Sequence, residues 1–306
     1  MKSFWLVILL LLAAPAFASE ADLGVQGGVI QRQEGEQITI WANSPQTSYT
    51  INNRGREFFH VKVQWRNVPA GSFLVTPQGV ADALSRSGGT ILSSVSVPGG
   101  SRAAWQLNCN IKGDYRFAVV AGVATPEILR RVEKTDRKPH FAIHLGDGAS
   151  PNGYYQFLNR LSALSFPTYI LPGRHDKSAN FVRLCGKSKQ IFDVAGDRFV
   201  FLDNRFGRLG KSQINWLDGV LAGPRRNTFV FLHLPLSSTR SLPGMSDRNE
   251  VRRLYRLFAE RKVTSVFAGN TLTYSRQKRG GTEFYSVGGR AVGVEVSSRG
   301  VAIHPY

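Results

Sequence analysis

From Tyr115 onward the chain repeats one pattern: a short apolar run of strand length, a small or polar loop at its end, then a stretch with helical spacing. Residues 117–120, 141–145, 168–171, 199–202, 228–232 and 264–268 are such runs, apolar on successive positions rather than alternate ones. Strands of that kind are buried on both faces, and their alternation with helices predicts a layered α/β domain with sites at the strand ends. Helical spacing covers 125–137, 154–164, 212–221 and 247–261. The first of these opens with Thr125-Pro126, read as a hydroxyl N-cap with proline at the first helical position. The last carries Asp247 and Glu250 at capping-box spacing, an apolar stripe of Val251, Leu254, Tyr255 and Phe258, and four arginines (248, 252, 253 and 256) largely off it. That arginine face reads either as solvated surface or as an anion-binding face. Residues 284–287, 292–296 and 301–304 read as a closing antiparallel meander.

The preceding segment has a different texture. Residues 37–41, 59–65 and 91–97 alternate polar and apolar between turn-forming clusters such as Asn52-Asn53 and Pro98-Gly99-Gly100, which predicts a small β-sandwich of immunoglobulin-like type over 19–112, ahead of an α/β domain over 113–306. Residues 1–18 have the layout of an export signal: Lys2, an apolar run, Pro15, then Ala16-Phe17-Ala18 at the cleavage position. The apolar run stops short of the roughly 20 residues a spanning helix needs. No cysteine lies near that point and no later stretch is long and apolar enough to span, so the expectation is an exported protein, periplasmic or secreted, without a transmembrane segment once the signal is removed. Export permits disulfides, and Cys109 and Cys185 are either one bridge or two separate thiols.

At 42% hydrophobic and 20% charged, the 306 residues exclude a disordered or fibrous chain. The formal charge of +18 favours contact with polyanions: an anionic envelope polymer, a lipid head group or a phosphate ester. No aromatic-basic motif singles out nucleic acid.

Five strand-end loops carry the chemistry. In order they are Ala121-Gly122-Val123-Ala124, Gly146-Asp147, Gly173-Arg174-His175-Asp176, Val230-Phe231-Leu232-His233 and Gly269-Asn270-Thr271-Leu272. Their order and spacing over about 115–290 resemble the calcineurin-like metallophosphoesterases, in particular the purple acid phosphatases, with their DxH or DxG, GD, GNH-D/E, VxxH and GHxH motifs. Phe199-Val200-Phe201-Leu202-Asp203, Gln213-Ile214-Asn215-Trp216-Leu217 and the Tyr274/Arg276 pair are similar to further family segments. The resemblance implies a phosphoesterase (hydrolase) fold and, in active members, two metal ions (Fe, Zn or Mn) that activate a hydroxide on a phosphate ester.

Carried over by position, the resemblance implies that the bridging carboxylate is kept as Asp147 and the VxxH histidine as His233. The leaving-group acid is kept as His175 with Asp176 as its partner. A Tyr ligand falls at Ser150. The other ligands are lost: Gly122 and Ala124 replace the first motif's Asp and His, Arg174 the Asn, and Asn270 and Leu272 the two GHxH histidines. Side chains of Gly, Ala and Leu offer no lone pair, and a guanidinium repels a cation, so no metal cofactor is expected. Two readings of the remnant stay open. Arg174 either pairs with Asp147 and props the loops, or joins His175, Asn270 and His233 in capturing an anion. The functional expectation is a degenerate, non-catalytic member that binds an anionic or phosphate-containing ligand or partner. The alternative is an active phosphatase or phosphodiesterase with a rebuilt site.

Overall fold

A computed structural model describes residues 21–81, 83–150, 153–237 and 243–306; the segment read as an export signal lies outside them. No described helix is long and apolar enough to cross a membrane.

The N-terminal part holds strands β1 (Ala21–Gln26), β2 (Gly28–Glu34), β3 (Gln37–Ala42), β4 (Ser48–Asn53), β5 (Phe59–Arg66), β6 (Phe73–Thr76), β7 (Gly79–Ala81), β8 (Ser85–Ser87), β9 (Thr90–Val97) and β10 (Arg102–Asn108). They form two sheets, ordered β1-β4-β10-β6-β7 and β2-β3-β5-β9-β8. Alternation decides which face is buried. Ile38, Ile40, Val61, Val63 and Trp65 from one sheet meet Tyr49, Ile51, Leu74 and Leu107 from the other in a single core.

The second part contains β11 (Tyr115–Val120), α1 (Thr125–Glu133), β12 (Phe141–His144), α2 (Tyr154–Ser162), β13 (Thr168–Ile170), α3 (Ser178–Cys185), β14 (Gln190–Val194), β15 (Asp197–Phe201), α4 (Lys211–Val220), β16 (Thr228–Leu232), α5 (Arg248–Glu260), β17 (Ser265–Ala268), β18 (Ser275–Arg279), β19 (Thr282–Ser286), β20 (Val292–Ser297) and β21 (Gly300–Pro305). One sheet runs β13-β12-β11-β20-β21 and the other β14-β15-β16-β17-β19-β18. Between them lies a core rich in aromatic rings, with Phe117 stacked on Phe141 at 5.5 Å and edge-on to Phe199 and Phe229 at 5.2 Å. Ala118, Val120, Ala142 and Ile170 turn to the opposite face, under α1, α2 and α3. Val200, Leu202, Val230 and Val266 do the same under α4 and α5. The central strands β11, β12, β13, β15, β16 and β17 are therefore covered on both sides, which is why their apolar runs do not alternate.

Several expectations change. The last strands are not one meander: β19 runs parallel to β17 in the second sheet, while β20 extends the first sheet antiparallel to β11 and β21 pairs antiparallel with β20. α1 stops at Glu133 rather than near 137, because the Thr135 hydroxyl donates to the Val132 carbonyl and a polar stretch leads to Pro139. Ala124, not Thr125, is the N-cap of α1; the Thr125 hydroxyl donates to the Gly122 carbonyl instead. Asp247 does cap α5, accepting from the Asn249 and Glu250 amides. Glu250 does not close the box, since its carboxylate accepts from the Leu209 and Gly210 amides. Asp247→Ala is expected to lower stability by about 1 kcal/mol, read from the urea midpoint. The cysteines are two free thiols. Cys185 is sealed among the side chains under α2 and α3 beside the Tyr154 hydroxyl, and burial pushes its thiol up, while Cys109 follows β10 in a separate surface hollow beside Ile111.

The two parts are joined through buried groups. Trp41 of β3 sits in the core under α1, α2 and α3. The side-chain amides of Asn43 and Asn67 each bond the backbone of β13 twice.

Candidate functional site

Parallel strands β11, β12, β13, β16 and β17 deliver the five loops to one edge of the two sheets. Two glycines let the loops touch. A Cβ on Gly146 (φ +92°) would lie 2.5 Å from the Gly173 backbone and 2.8 Å from His233 Nδ1. A Cβ on Gly173 would lie 2.3 Å from the Asp147 amide. Asp147 itself is held at φ +58°.

At this convergence the carboxylates bind protein. Asp147 Oδ1 accepts the His175 amide at 2.8 Å, and Oδ2 lies 3.3 Å from His233 Nε2. Asp176 Oδ2 accepts the Gly173 amide at 2.7 Å and the Asp147 amide at 3.1 Å. His233 is fully enclosed, its Nδ1–H donating to the Leu145 carbonyl at 2.7 Å. Its Nε2 has Asp147 as charged neighbour but no aligned hydrogen bond. Burial raises the Asp147 pKa, but the His233 contact and the His175 amide outweigh it and hold the carboxyl below its ordinary value. Asp176 moves the other way: burial pushes it up, only partly offset by its two amide donors.

The predicted residues are thus partly brought together. Asp147, Asp176, His233 and the His175 backbone form one knot. Arg174 and the His175 ring are exposed outside it. Among the described residues Arg174 makes no ion pair with Asp147, whose nearest side-chain neighbour is His233 because the tips of β12 and β16 converge. His175 and Asp176 are not an acid pair, since Asp176 turns inward to amides. Asn270 (φ +47°) donates to the Pro243 carbonyl at 3.3 Å, Leu272 is 68% exposed, and Ala124 and Ser150 face solvent.

A dinuclear metal centre does not fit these residues. Among the described residues no group of three or more His, Cys, Asp or Glu is placed to hold an ion. Asp147 Oδ2 and His233 Nε2 supply two donors where one zinc-like ion takes about four. A Cβ on Gly122 would meet nothing within 4 Å, so the room for a first-motif carboxylate remains and the carboxylate does not.

Three residues escaped sequence reasoning. His144, the last residue of β12, is completely buried, its Nδ1 facing the Gly146 amide at 3.4 Å and its Nε2 the Gly122 carbonyl at 3.3 Å. Asn204 Oδ1 accepts both the His233 and Leu234 amides at 3.0 Å. Arg205 grips Asp203 with two hydrogen bonds and donates to the Asp176 carbonyl at 3.1 Å, tying down the Arg174 loop from below. The neighbouring Asp203 motif is the one sequence signal pointing to this support.

No protein-family model matches the chain. It is 25% identical over 151 residues to a probable cyclic nucleotide phosphodiesterase of Synechococcus sp., covering 46% of this chain and 59% of that relative. It is 25% identical over 155 residues to a 3',5'-cyclic-nucleotide phosphodiesterase of Nostoc sp., covering 45% and 58%. The chain therefore spans less than two thirds of either relative. Among solved structures it is similar to a dimetal phosphatase from Danio rerio (TM-score 0.53, 13% identity, 62% of this chain and 95% of that one). It is also similar to GAP50, the anchor in the inner membrane complex of Plasmodium (0.51, 13%, 63% and 84%). A third likeness is to purple acid phosphatase PPD1 from yellow lupin (Lupinus luteus) seeds (0.50, 13%, 89% and 70%). These likenesses show the fold: the α/β part has the architecture of the calcineurin-like metallophosphoesterases.

Proposed function

We propose that this is an exported, non-catalytic protein of the phosphoesterase fold that binds an anionic or phosphate-containing ligand or partner. One observation carries the reading: Asp147, Asp176 and His233, the retained groups at the strand tips, are engaged by the loops themselves. This carboxylate–amide–imidazole knot draws the loops together and offers an ion two side-chain donors, short of the roughly four that activate a hydroxide at a metal. Arg174 and His175 remain exposed at its rim as donors suited to an anion, and the net charge of +18 draws polyanions to the surface. A protein of the same fold, GAP50, is described as an anchor, which supports a binding role. The likeness to the lupin phosphatase over 89% of the chain supports reading the N-terminal sheets as the immunoglobulin-like module ahead of the phosphoesterase domain.

The competing reading is a metal-dependent phosphodiesterase with a rebuilt site. The names of the Synechococcus and Nostoc relatives favour it, as does the unpartnered His233 Nε2 beside Asp147. The two readings separate on the purified chain incubated with manganese, zinc or iron, then assayed on a cyclic nucleotide and on bis(p-nitrophenyl) phosphate with metal content measured in parallel. The expected outcome is turnover equal to the protein-free control and far less than one metal per chain. Stoichiometric metal with turnover abolished by His233→Ala would establish the enzyme instead. Binding to an anionic polymer is expected to weaken steeply with added salt.

A further inference from the structure

Where the polar face of the β2-β3-β5 sheet meets α2 and α3, the two parts of the molecule stand off and leave a cleft of about 450 Å³. That is within the range of about 300–1,000 Å³ typical of small-ligand sites. The gap follows from strand alternation. Ile38, Ile40, Val63 and Trp65 point into the sandwich core, so their neighbours Thr39, Gln64 and Arg66 face the helices. Only a few polar bonds cross. Gln31 Nε2 donates to the Leu184 carbonyl at 2.8 Å. Arg66 Nη2 donates to Asn159 Oδ1 and Ser162 Oγ, both at 2.7 Å.

The lining has a definite chemistry. Arg32, Arg66 and Arg183 face it against one carboxylate, Glu34. Glu34 is engaged by Arg32 at 2.5 Å in an exposed pair, which a stronger anion can replace. Arg183 makes no ion pair among the described residues. Gln37, Thr39 and Gln64 line the same wall with amide and hydroxyl groups that suit a ligand's hydroxyls. Tyr155, 50% exposed, offers a ring face at the same wall. Guanidinium forks for an anion, amide and hydroxyl groups for a ligand's hydroxyls and a flat aromatic surface form one recognition set.

We infer that this cleft binds a hydroxyl-rich anion, a sugar acid or sugar phosphate. The inference rests on the proposed binding function and moves it from the remnant metal centre to the junction between the two parts. Titration calorimetry on the full chain tests it with glucuronate, glucose 6-phosphate, glucose and inorganic phosphate. Binding of glucuronate or glucose 6-phosphate, at least about tenfold tighter than either glucose or phosphate, is expected, and the stronger of the two identifies the anionic group. Arg183→Ala and Tyr155→Ala are each expected to weaken that binding by about tenfold. Arg299→Ala removes the same charge from the β20–β21 turn and leaves it unchanged. Equal losses in Arg183→Ala and Arg299→Ala would reduce the effect to bulk charge and overturn the site. Loss in Arg174→Ala with Arg183→Ala unaffected would overturn the cleft while leaving the remnant centre as the binding locus. Absence of binding by all four probes would defeat the cleft and leave macromolecular anions to the salt test above.

Discussion

Acidification from pH 7 to pH 4 is expected to remove about 3 kcal/mol of folding stability through one side chain, His144. Burial lowers its pKa from 6.5 to about 4, with the nearby His233 adding slightly, against the opposing pull of the Gly122 carbonyl and Asp147. The folded chain therefore holds the ring neutral, with Nε2–H towards the Gly122 carbonyl and Nδ1 receiving the Gly146 amide. Between pH 6.5 and 4 the unfolded chain binds a proton that the folded chain does not. Stability then falls with each step down in pH, at about 1.4 kcal/mol per unit. Asp176, whose pKa is raised, works in the opposite sense and returns a little stability as acid is added. His140 and His304 are shifted the same way as His144 but lie nearer solvent. The comparison with His144→Gln isolates the buried ring, since glutamine does not titrate and keeps a donor for the Gly122 carbonyl. Urea midpoints at pH 7 and pH 4.5 should drop far more for the natural chain than for the variant. Parallel losses would show that His144 is protonated in the folded state.

That histidine also marks where sequence reasoning stops. The runs at 117–120, 199–202 and 228–232 were legible because strands covered on both faces are almost wholly apolar, and the polar loops that follow them stand out against them. β18 was not legible: Ser275-Arg276-Gln277-Lys278-Arg279 is an exposed edge strand, held by pairing with β19 rather than by any apolar face of its own. The five loops were placed correctly at strand ends, yet their bonding was not deducible. Opposite charge suggested Arg174 for Asp147, and only the convergence of β12 and β16 shows that His233 reaches it. Asp176 follows His175 in sequence, but backbone direction sends its carboxylate to amides. His144 lies within an apolar strand, where a histidine carries no signature, and its neighbours come from loops far away along the chain. Three of the N-terminal strands, at 37–41, 59–65 and 91–97, were readable from their alternation. The cleft against α2 and α3 was not, because it depends on how two separately readable parts meet.

Asn67→Ala is expected to destabilise the protein by about 3 kcal/mol or more, an effect as large as loss of a core side chain. β13 is the edge of its sheet, and an edge strand leaves backbone donors and acceptors unpaired. Here that edge is buried, and two asparagines from the N-terminal sheets act as a substitute strand. Asn67 accepts the Thr168 amide at 2.8 Å and donates back to its carbonyl at 2.9 Å. Asn43 does the same for Ile170 at 2.7 and 2.9 Å. All four residues are essentially inaccessible to water. Removing one amide leaves a buried N–H and a buried C=O unsatisfied, at about 1–3 kcal/mol each. Asn67 also sits at φ +62°, which asparagine tolerates better than alanine. Asn43→Ala lacks that backbone contribution and should fall slightly below Asn67→Ala. Asn67→Asp discriminates further: it keeps the acceptor for Thr168, loses the donor to the Thr168 and Ala42 carbonyls, and places a charge against both. It should therefore be at least as damaging as alanine at neutral pH and milder in acid, where the carboxyl regains a proton to donate. A thermal midpoint lowered by several degrees in Asn67→Ala, with the aspartate recovering on acidification, is the expected pattern. If both variants melt with the natural chain at every pH, the β13 edge is satisfied by water and the two parts of the molecule are coupled by apolar contact alone.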